Sequence, residues 1–300
     1  MIKKLQKFLI ILLTILITIC PEISSLASPI TNNLVYIVQD SSLNEIVLSN
    51  FRKTSNLEIL KNYNNLNLYG LDKLNISGSE QFSGYNIKNL IKETGTTLDI
   101  IDVDLRQESH GFINGIAISF MNKLNNANEG LSRNQVLIRE TSQLLSIPLN
   151  TPLTLCGSHP KIITPVFIED ENALVSKNSL KYIRIPVTDG KIPTDDMVDY
   201  FVSLVNSKFN NKWIYFHCKR GIGRTTTFMI MYDMMKNSNK VSYDDIVNRQ
   251  LLLANFKETT INSFKASAPR MDLLKNFYTY CKENSDSCSK PWSEWIKNKN

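Results

Sequence analysis

The nine residues from His217 to Thr225 constrain this chain more than any other feature. They read His-Cys-Lys-Arg-Gly-Ile-Gly-Arg-Thr. The residues before them, 213–216, are apolar and aromatic or β-branched, as in a buried strand, and residues 225–236 are patterned as a helix. A turn from a strand into a helix directs backbone N–H groups and the positive end of the helix dipole at one spot. The sequence therefore predicts a phosphate-binding loop between residues 216 and 225, called the phosphate loop below.

Cys218 is the expected nucleophile of this loop. The field that holds a phosphate dianion also favours the thiolate form of a cysteine. Gly221 and Gly223 allow positive φ and a close approach of the backbone to an oxyanion. Arg224 can hold two phosphoryl oxygens with its planar fork. Thr225 can donate its hydroxyl to the sulfur when the phosphocysteine breaks down.

Two other interpretations of this stretch are a buried structural cysteine beside a glycine turn and a zinc site. A strand before the stretch and a helix after it form the context that a catalytic motif needs, which favours the nucleophile. No second Cys or His stands at ligand spacing from His217 and Cys218, which disfavours zinc. We expect neither a metal nor a cofactor.

The pattern His-Cys-x-x-Gly-x-Gly-Arg-Thr resembles the active-site signature of cysteine-dependent protein tyrosine phosphatases. Its continuation, Gly-Arg-Thr-Thr-Thr-Phe-Met-Ile-Met-Tyr-Asp at residues 223–233, is similar to bacterial tyrosine phosphatase-like inositol phosphatases, often called cysteine phytases. Residues 77–83, 104–111 and 291–295 also resemble segments of that family. The resemblance implies an α/β fold with a protein tyrosine phosphatase-like central sheet flanked by helices, and a small partial β-barrel subdomain.

Residues 1–27 have the pattern of a secretory signal peptide. Three lysines precede an apolar run at residues 8–20, and Ser25-Leu26-Ala27 offers a cleavage site. The run is short for a membrane span, so an uncleaved anchor is the less favoured alternative. We expect a secreted or periplasmic bacterial protein without stable membrane insertion. Residues 28–300 then form the catalytic domain, with a β-rich subdomain built roughly from 28–70 and 147–168.

The formal charge is +6, and removal of the predicted signal peptide, with its three Lys and one Glu, leaves +4. This mild excess suits an anionic substrate. No basic run with interleaved aromatic residues suggests nucleic-acid binding. The four cysteines after residue 27 are too few for a disulfide scaffold. Cys281 and Cys288 either pair with each other or remain buried thiols, since Cys281 falls on an apolar helix stripe.

Asp189 is the expected general acid. A phosphocysteine mechanism needs a proton for the departing alkoxide. Asp189 directly follows a predicted strand at 182–187, and its Thr-Asp pair resembles the general-acid loop of the family. Asp195 and Asp196 are the rivals, but Pro193-Thr194 before them is typical of a helix start. The family usually has His after this Asp, whereas this chain has Gly190, so substrate preference can differ.

Further side chains are candidates for substrate binding. Lys219, Arg220 and Ile222 occupy the variable positions of the phosphate loop, and the two cations favour a polyanionic substrate. Arg106 and His110 follow a predicted strand at 97–105 as candidates for substrate contact, whereas Asp104 and Glu108 beside them are expected to hold loops together in a salt-bridge network. The resemblance implies further pocket residues, with candidates at Arg52, His159 and Lys161. It also places pocket lysines near residues 257–270, which we expect to form a loop and which contain the candidates Lys257, Lys265 and Arg270.

These observations predict hydrolysis of phosphate monoesters of myo-inositol polyphosphates through a phosphocysteine intermediate. Two alternatives remain open. One is a phosphoinositide or protein phosphatase with the same mechanism. The other is a secreted inositol-phosphate-binding effector without turnover.

Overall fold

The computed structural model describes residues 35–41, 48–157, 160–284 and 288–299. The predicted signal peptide and His159 lie outside the described residues. The strands are β1 Tyr36–Gln39, β2 Arg52–Lys53, β3 Ile76–Ser79, β4 Ile100–Arg106, β5 His110–Ile113, β6 Ile116–Met121, β7 Leu153–Leu155, β8 Lys161–Ile163, β9 Ile168–Glu169, β10 Lys181–Val187 and β11 Trp213–His217.

Side chains cap the first turns of several helices. Asp170 caps the helix that begins at Glu171, and Ser242 caps the helix that begins at Tyr243. The helices are α1 Ile87–Thr94, α2 Arg133–Leu145, α3 Glu171–Lys177, α4 Asp195–Ser207, α5 Gly223–Asn237, α6 Tyr243–Leu253, α7 Glu258–Lys265, α8 Ala268–Glu283 and α9 Trp292–Lys297. None of the helices in the described ranges is long and apolar enough to cross a membrane.

The central sheet has the strand order β10-β4-β11-β3-β2. Its first four strands run parallel, and β2 pairs antiparallel with β3 at the edge. The carboxyl ends of parallel strands meet at one edge of a sheet, which is where open α/β sheets carry their sites. The chain segments after β3, β4, β10 and β11 therefore converge there.

Helices cover both faces of the central sheet. Successive side chains of a strand point to opposite faces of the sheet, and β11 shows this alternation. Ile214 and Phe216 join the core that contains α4 and α5, whereas Trp213 and Tyr215 join the core that contains α1 and α3. Helix α5 is buried on almost every side. The predicted α/β fold is confirmed.

A second, antiparallel sheet has the order β1-β6-β5-β9, and the hairpin β7-β8 adjoins it through a bridge between Val38 and Cys156. Its middle strands come from residues 110–121, outside the ranges from which the subdomain was expected. Residues 52–53 instead pair in the central sheet. The described sheets do not include a closed barrel. The division of residues 28–300 into domain and subdomain stays a prediction.

Two segments differ from expectation. Sequence patterns did not predict the β5-β6 hairpin, although its Asn114-Gly115 turn is a strong hairpin signal. Both turn residues have the positive φ that such a turn requires, 52° and 79°. Residues 257–270, expected as a loop, instead form α7 and the start of α8.

Candidate active site

The phosphate loop joins the end of β11 to the start of α5 and lies against the end of β3. Gly221 has a φ of 69°, and a Cβ there would lie 2.3 Å from the Ser79 carbonyl carbon and 2.4 Å from the Glu80 nitrogen. Only glycine fits this contact. The sequence thus folds the loop as a tight turn against a neighbouring strand.

The side chain of Cys218 lies at the base of a cavity at this edge of the sheet. It is only 3% exposed, yet it lines the cavity. The Thr225 hydroxyl donates to Sγ at 3.2 Å. Of the predicted catalytic residues, Cys218 and Thr225 are therefore in direct contact.

Arg224 lines the same cavity and is held from behind by Glu108. Nη1 of Arg224 donates to Oε2 of Glu108 at 2.6 Å and to the Val187 carbonyl at 2.9 Å, and Nη2 donates to Oε1 at 2.9 Å. Burial disfavours the charged form of both side chains, but the charge of each side chain stabilises the charge of the other. The pKa of Glu108 therefore lies well below its ordinary value, and the pKa of Arg224 lies above its own. Sequence patterns predict a salt-bridge network for Glu108, but not its pairing with Arg224.

Asp189 lies on the loop after β10 and faces the cavity. Its Oδ1 is 3.1 Å from Nη2 of Arg224, and its Oδ2 accepts a hydrogen bond from Asn125 at 2.9 Å. Gly190, next to it, has a φ of 73°, and a Cβ at this position would have no heavy atom within 4 Å. Asn125 was not expected at the site.

The rival carboxylates occupy the first turn of α4. Asp195 accepts from the Trp292 indole at 2.7 Å, and Asp196 accepts from the Thr194 hydroxyl at 2.5 Å. Neither lines the cavity that contains Cys218. They serve the helix start, as the sequence indicated.

The cavity has a volume of about 420 Å³. Four cations and one carboxylate line it, which gives it a strongly positive field. Arg270, at the start of α8, lies beside Gly223 and stacks over the Phe264 ring. The lining residues are Asp189, Gly190, Lys191, Cys218, Arg220, Ile222, Gly223, Arg224, Thr259, Thr260, Ser263, Phe264 and Arg270.

Three cations that were expected to contact substrate do not line this cavity. The Lys219 ammonium lies 2.9 Å from the buried Asp40 carboxylate. Arg106 is fully buried and donates to Gln81, Asp40 and Glu108. His110 is 1% exposed, beneath the site. Each is directed away from the cavity because a buried carboxylate needs it as a partner.

Two further candidates also lie elsewhere. Arg52 is 3% exposed and donates to the outer side of the phosphate loop. Lys161 is exposed in the β7-β8 hairpin and does not line the cavity. Their expected contact with substrate is therefore not found in this arrangement. Lys257 and Lys265 also lie outside the lining.

His217 is buried beneath the phosphate loop among carboxylates. Its Nε2 lies 2.7 Å from Oε1 of Glu171 and 3.3 Å from Oδ1 of Asp102. Burial and the neighbouring Glu171 raise the pKa of Asp102 well above its ordinary value. Burial opposes the charge of Glu171, but His217 holds the pKa of that carboxyl below its ordinary range.

Two buried groups have the composition of a metal site: Asp102, Glu171 and His217, and Asp104, His110 and Glu171. Two ligands of a zinc ion lie roughly 3.3 Å apart, given bonds of about 2 Å at a tetrahedral angle. The 2.7 Å between Nε2 of His217 and Oε1 of Glu171 is shorter than this separation. In the other group, Oδ2 of Asp104 already accepts from Tyr182 at 2.7 Å. The first group is therefore too tight for tetrahedral zinc, and one ligand atom of the second is already engaged.

His110 is the second histidine of this buried region. Burial would lower its pKa, and so would Arg106, but the Asp104 and Glu140 carboxylates outweigh them and raise its pKa to about 10. Its Nδ1 donates to the Glu108 carbonyl at 3.0 Å. A protonated His110 thus supports the segment that holds Arg224.

The chain resembles known proteins over most of its length. The family described as PTP-like phytase, inositol hexakisphosphate, matches residues 162–236. The effector protein hopD2 of Pseudomonas syringae pv. tomato is 28% identical over 265 residues, which cover 83% of this chain and 56% of that protein.

Two solved structures have the same fold. The PTP-like myo-inositol phosphatase of Mitsuokella multacida, in complex with myo-inositol-(1,3,4,5)-tetrakisphosphate, has a TM-score of 0.78 at 28% identity and covers 90% of this chain and 49% of that one. A PTP-like phytase of Bdellovibrio bacteriovorus has a TM-score of 0.71 at 29% identity and covers 88% of this chain and 95% of that one. The chain thus spans about half the length of the Pseudomonas and Mitsuokella relatives. With the match to the family and these two structures, the chain belongs to the protein tyrosine phosphatase-like phytases.

Proposed function

We propose that this chain hydrolyses phosphate monoesters of inositol polyphosphates through a phosphocysteine intermediate. The observation that carries the proposal is the position of Cys218, paired with Thr225 and next to Arg224, at the base of a cavity lined by cations. The similarity to an inositol phosphatase that binds an inositol tetrakisphosphate supports the substrate class.

In the first step, the Cys218 sulfur forms a bond to phosphorus as the ester P–O bond breaks, and Asp189 gives a proton to the leaving oxygen. Both hydrogens of Nη1 of Arg224 are donated to Glu108 and Val187. The edge formed by Nε and Nη2 therefore remains for two phosphoryl oxygens. Asp189 takes part of that edge, so a bound phosphoryl group displaces its carboxyl group from Nη2.

In the second step, water attacks phosphorus and the sulfur leaves as a thiolate, which releases inorganic phosphate. Asp189, now a carboxylate, takes the proton of the water. The Thr225 hydroxyl, 3.2 Å from Sγ, stabilises the leaving thiolate. The residues of this chain supply each group that the two steps need.

The cavity favours a substrate with several phosphates. Its volume of about 420 Å³ is in the range of small-molecule sites. Lys191, Arg220 and Arg270 surround the base, where Arg224 binds the reacting phosphoryl group. These three cations can bind the phosphates that are not being transferred.

A second candidate is the same reaction on a phosphoprotein or a phosphoinositide lipid, since Cys218, Thr225 and Arg224 can act on any phosphate monoester that enters the cavity. The predicted signal peptide supports export of the protein. Amino-terminal sequencing of protein recovered from the periplasm or the medium should begin at Ser28 if cleavage follows Ala27. An intact amino terminus would contradict cleavage there.

The test is phosphate release by the purified protein from inositol hexakisphosphate, from phosphoinositide vesicles and from a phosphotyrosine peptide, each with a metal chelator present. We expect inositol hexakisphosphate to be the fastest substrate. The variant Cys218→Ser should bind it but release no phosphate. Faster hydrolysis of the peptide or the vesicles would favour the second candidate, and substantial turnover by Cys218→Ser would refute the mechanism.

A further inference from the structure

A short segment before and within β2 binds the outer side of the phosphate loop. Nδ2 of Asn50 donates to the Arg220 carbonyl at 2.8 Å. Nη1 of Arg52 donates to the Gly221 carbonyl at 2.6 Å and to the Asn50 carbonyl at 2.9 Å. Nη2 of Arg52 donates to the Thr226 hydroxyl, in the first turn of α5, at 2.8 Å. Two successive carbonyls of the loop are thus bound from one side.

These contacts fix the direction of the loop amides. In a trans peptide the C=O and the following N–H point in opposite directions. When Asn50 and Arg52 bind the carbonyls of residues 220 and 221, the N–H groups of Gly221 and Ile222 must point away from them. Such oriented amides are what an anion-binding loop requires. Gly221 could otherwise turn its peptide easily, because glycine has wide conformational freedom.

Arg52 is itself held firmly. It is 3% exposed, and its guanidinium lies 5.5 Å from the centre of the Phe256 ring. Burial lowers its pKa to about 10, while the charge of the nearby Cys218 acts in the opposite direction, so Arg52 stays protonated at neutral pH. A planar fork that binds a loop carbonyl and a helix hydroxyl at once is a role that lysine fills poorly.

We propose that Arg52 is a positioning residue, which sets the amides of the phosphate loop by binding their peptide units from outside and does not touch the substrate. The inference rests on the proposed function only in that the loop binds a phosphoryl group. It assigns Arg52 a different role from the pocket contact that the family resemblance implied. A positioning role acts on every phosphate ester alike, whereas a substrate contact acts only on esters large enough to reach it.

The test compares Arg52→Met and Arg52→Lys with wild type on para-nitrophenyl phosphate and on inositol hexakisphosphate. We expect Arg52→Met to lower kcat about 100-fold on both substrates, as loss of an oxyanion-binding amide does. Arg52→Lys should recover only part of this loss, since it keeps the charge but not the fork. Arg139→Met is the matched control, because Arg139 also binds a backbone carbonyl, that of Ala127, and does not line the cavity.

A loss confined to KM for inositol hexakisphosphate, with para-nitrophenyl phosphate unaffected, would overturn the proposal in favour of a substrate contact. Full activity of Arg52→Met on both substrates would overturn it as well. Asn50→Gly is a milder variant that keeps the positive φ of residue 50, 59°, and should lower kcat on both substrates about 10-fold. It tests the proposal if Arg52→Met does not fold.

Binding of inorganic phosphate, measured by calorimetry, gives a readout that does not depend on turnover. We expect Arg52→Met to weaken phosphate binding to the folded protein, with Arg139→Met unchanged. Equal binding by Arg52→Met and wild type would contradict the positioning role. If wild type binds phosphate but hydrolyses neither ester, the proposed function fails while the inference about Arg52 is still decided by binding.

Discussion

Glu108 binds Arg224 through two parallel hydrogen bonds, from Nη1 to Oε2 and from Nη2 to Oε1. Both side chains are almost completely buried. This bidentate pair fixes the plane of the guanidinium, so the edge formed by Nε and Nη2 is held in one orientation. The pair also balances the buried positive charge of Arg224.

We predict that Glu108→Gln lowers kcat about 10-fold or more and destabilises the fold by about 3 kcal/mol. Removal of one partner leaves the charge of Arg224 buried without compensation. Steady-state kinetics and urea unfolding measure the two effects. Glu93→Gln, at an exposed position of α1, is the control and should change neither. Wild-type kcat in Glu108→Gln would show that Arg224 does not depend on this pair.

The pKa of His110, raised to about 10, makes the protein lose stability at alkaline pH. A group whose pKa is higher in the folded state contributes stability that is complete below the unfolded pKa, about 6.5 for histidine. That contribution disappears as the pH rises through the folded pKa. The free energy of unfolding should therefore fall between pH 7 and pH 10. Urea unfolding across this range, with the imidazole of His110 followed by NMR, tests it, and titration of His110 near pH 6.5 would disprove it.

Asp189→Asn should slow hydrolysis of alkyl phosphates about 100-fold or more but affect activated aryl phosphates much less. An aryl oxide leaves without a proton, whereas an inositol oxygen needs one. The measurement is kcat on inositol hexakisphosphate and on para-nitrophenyl phosphate. Asp196→Asn is the control, because Asp196 binds Thr194 at the start of α4. If Asp196→Asn shows the selective loss instead, Asp189 is not the general acid.

Arg270→Ala should raise KM for inositol hexakisphosphate about 10-fold and leave para-nitrophenyl phosphate unchanged. Arg270 lines the cavity from α8, outside the phosphate loop, and its loss should remove one charge-assisted hydrogen bond to a phosphate that is not being transferred. Lys265→Ala is the control, because Lys265 binds Asn248 and does not line the cavity. Equal losses on both substrates would mean that Arg270 acts on the phosphate loop.

The elements of the central sheet could be predicted because each has a local pattern. Trp213–His217 is apolar over its first four residues, and Asp170 and Ser242 are typical helix caps. The position of Cys218 and Arg224 at one cavity could also be predicted, since the loop that holds them is one continuous segment. The β5-β6 hairpin was missed because its start at His110 is polar, although that residue is buried among carboxylates.

The partners of the charged residues could not be predicted. Arg52 and Gly221 are 169 positions apart, and Arg224 and Glu108 are 116 apart. No local pattern indicates that such side chains meet. Lys219 shows the limit most clearly: its place in the phosphate loop suggested substrate binding, yet it pairs with Asp40, which follows β1.

The strand β4 leaves the central sheet at Arg106, and β5 enters the second sheet at His110, with Glu108 between them. The residue that orients Arg224 is thus carried by a three-residue bridge whose two ends are each anchored in a different sheet. A hairpin transplanted from another family member would have to keep the length of that bridge, because one inserted residue would rotate Glu108 out of the active site. The antiparallel sheet, which carries β5, therefore helps to set the orientation of the Arg224 guanidinium through Glu108.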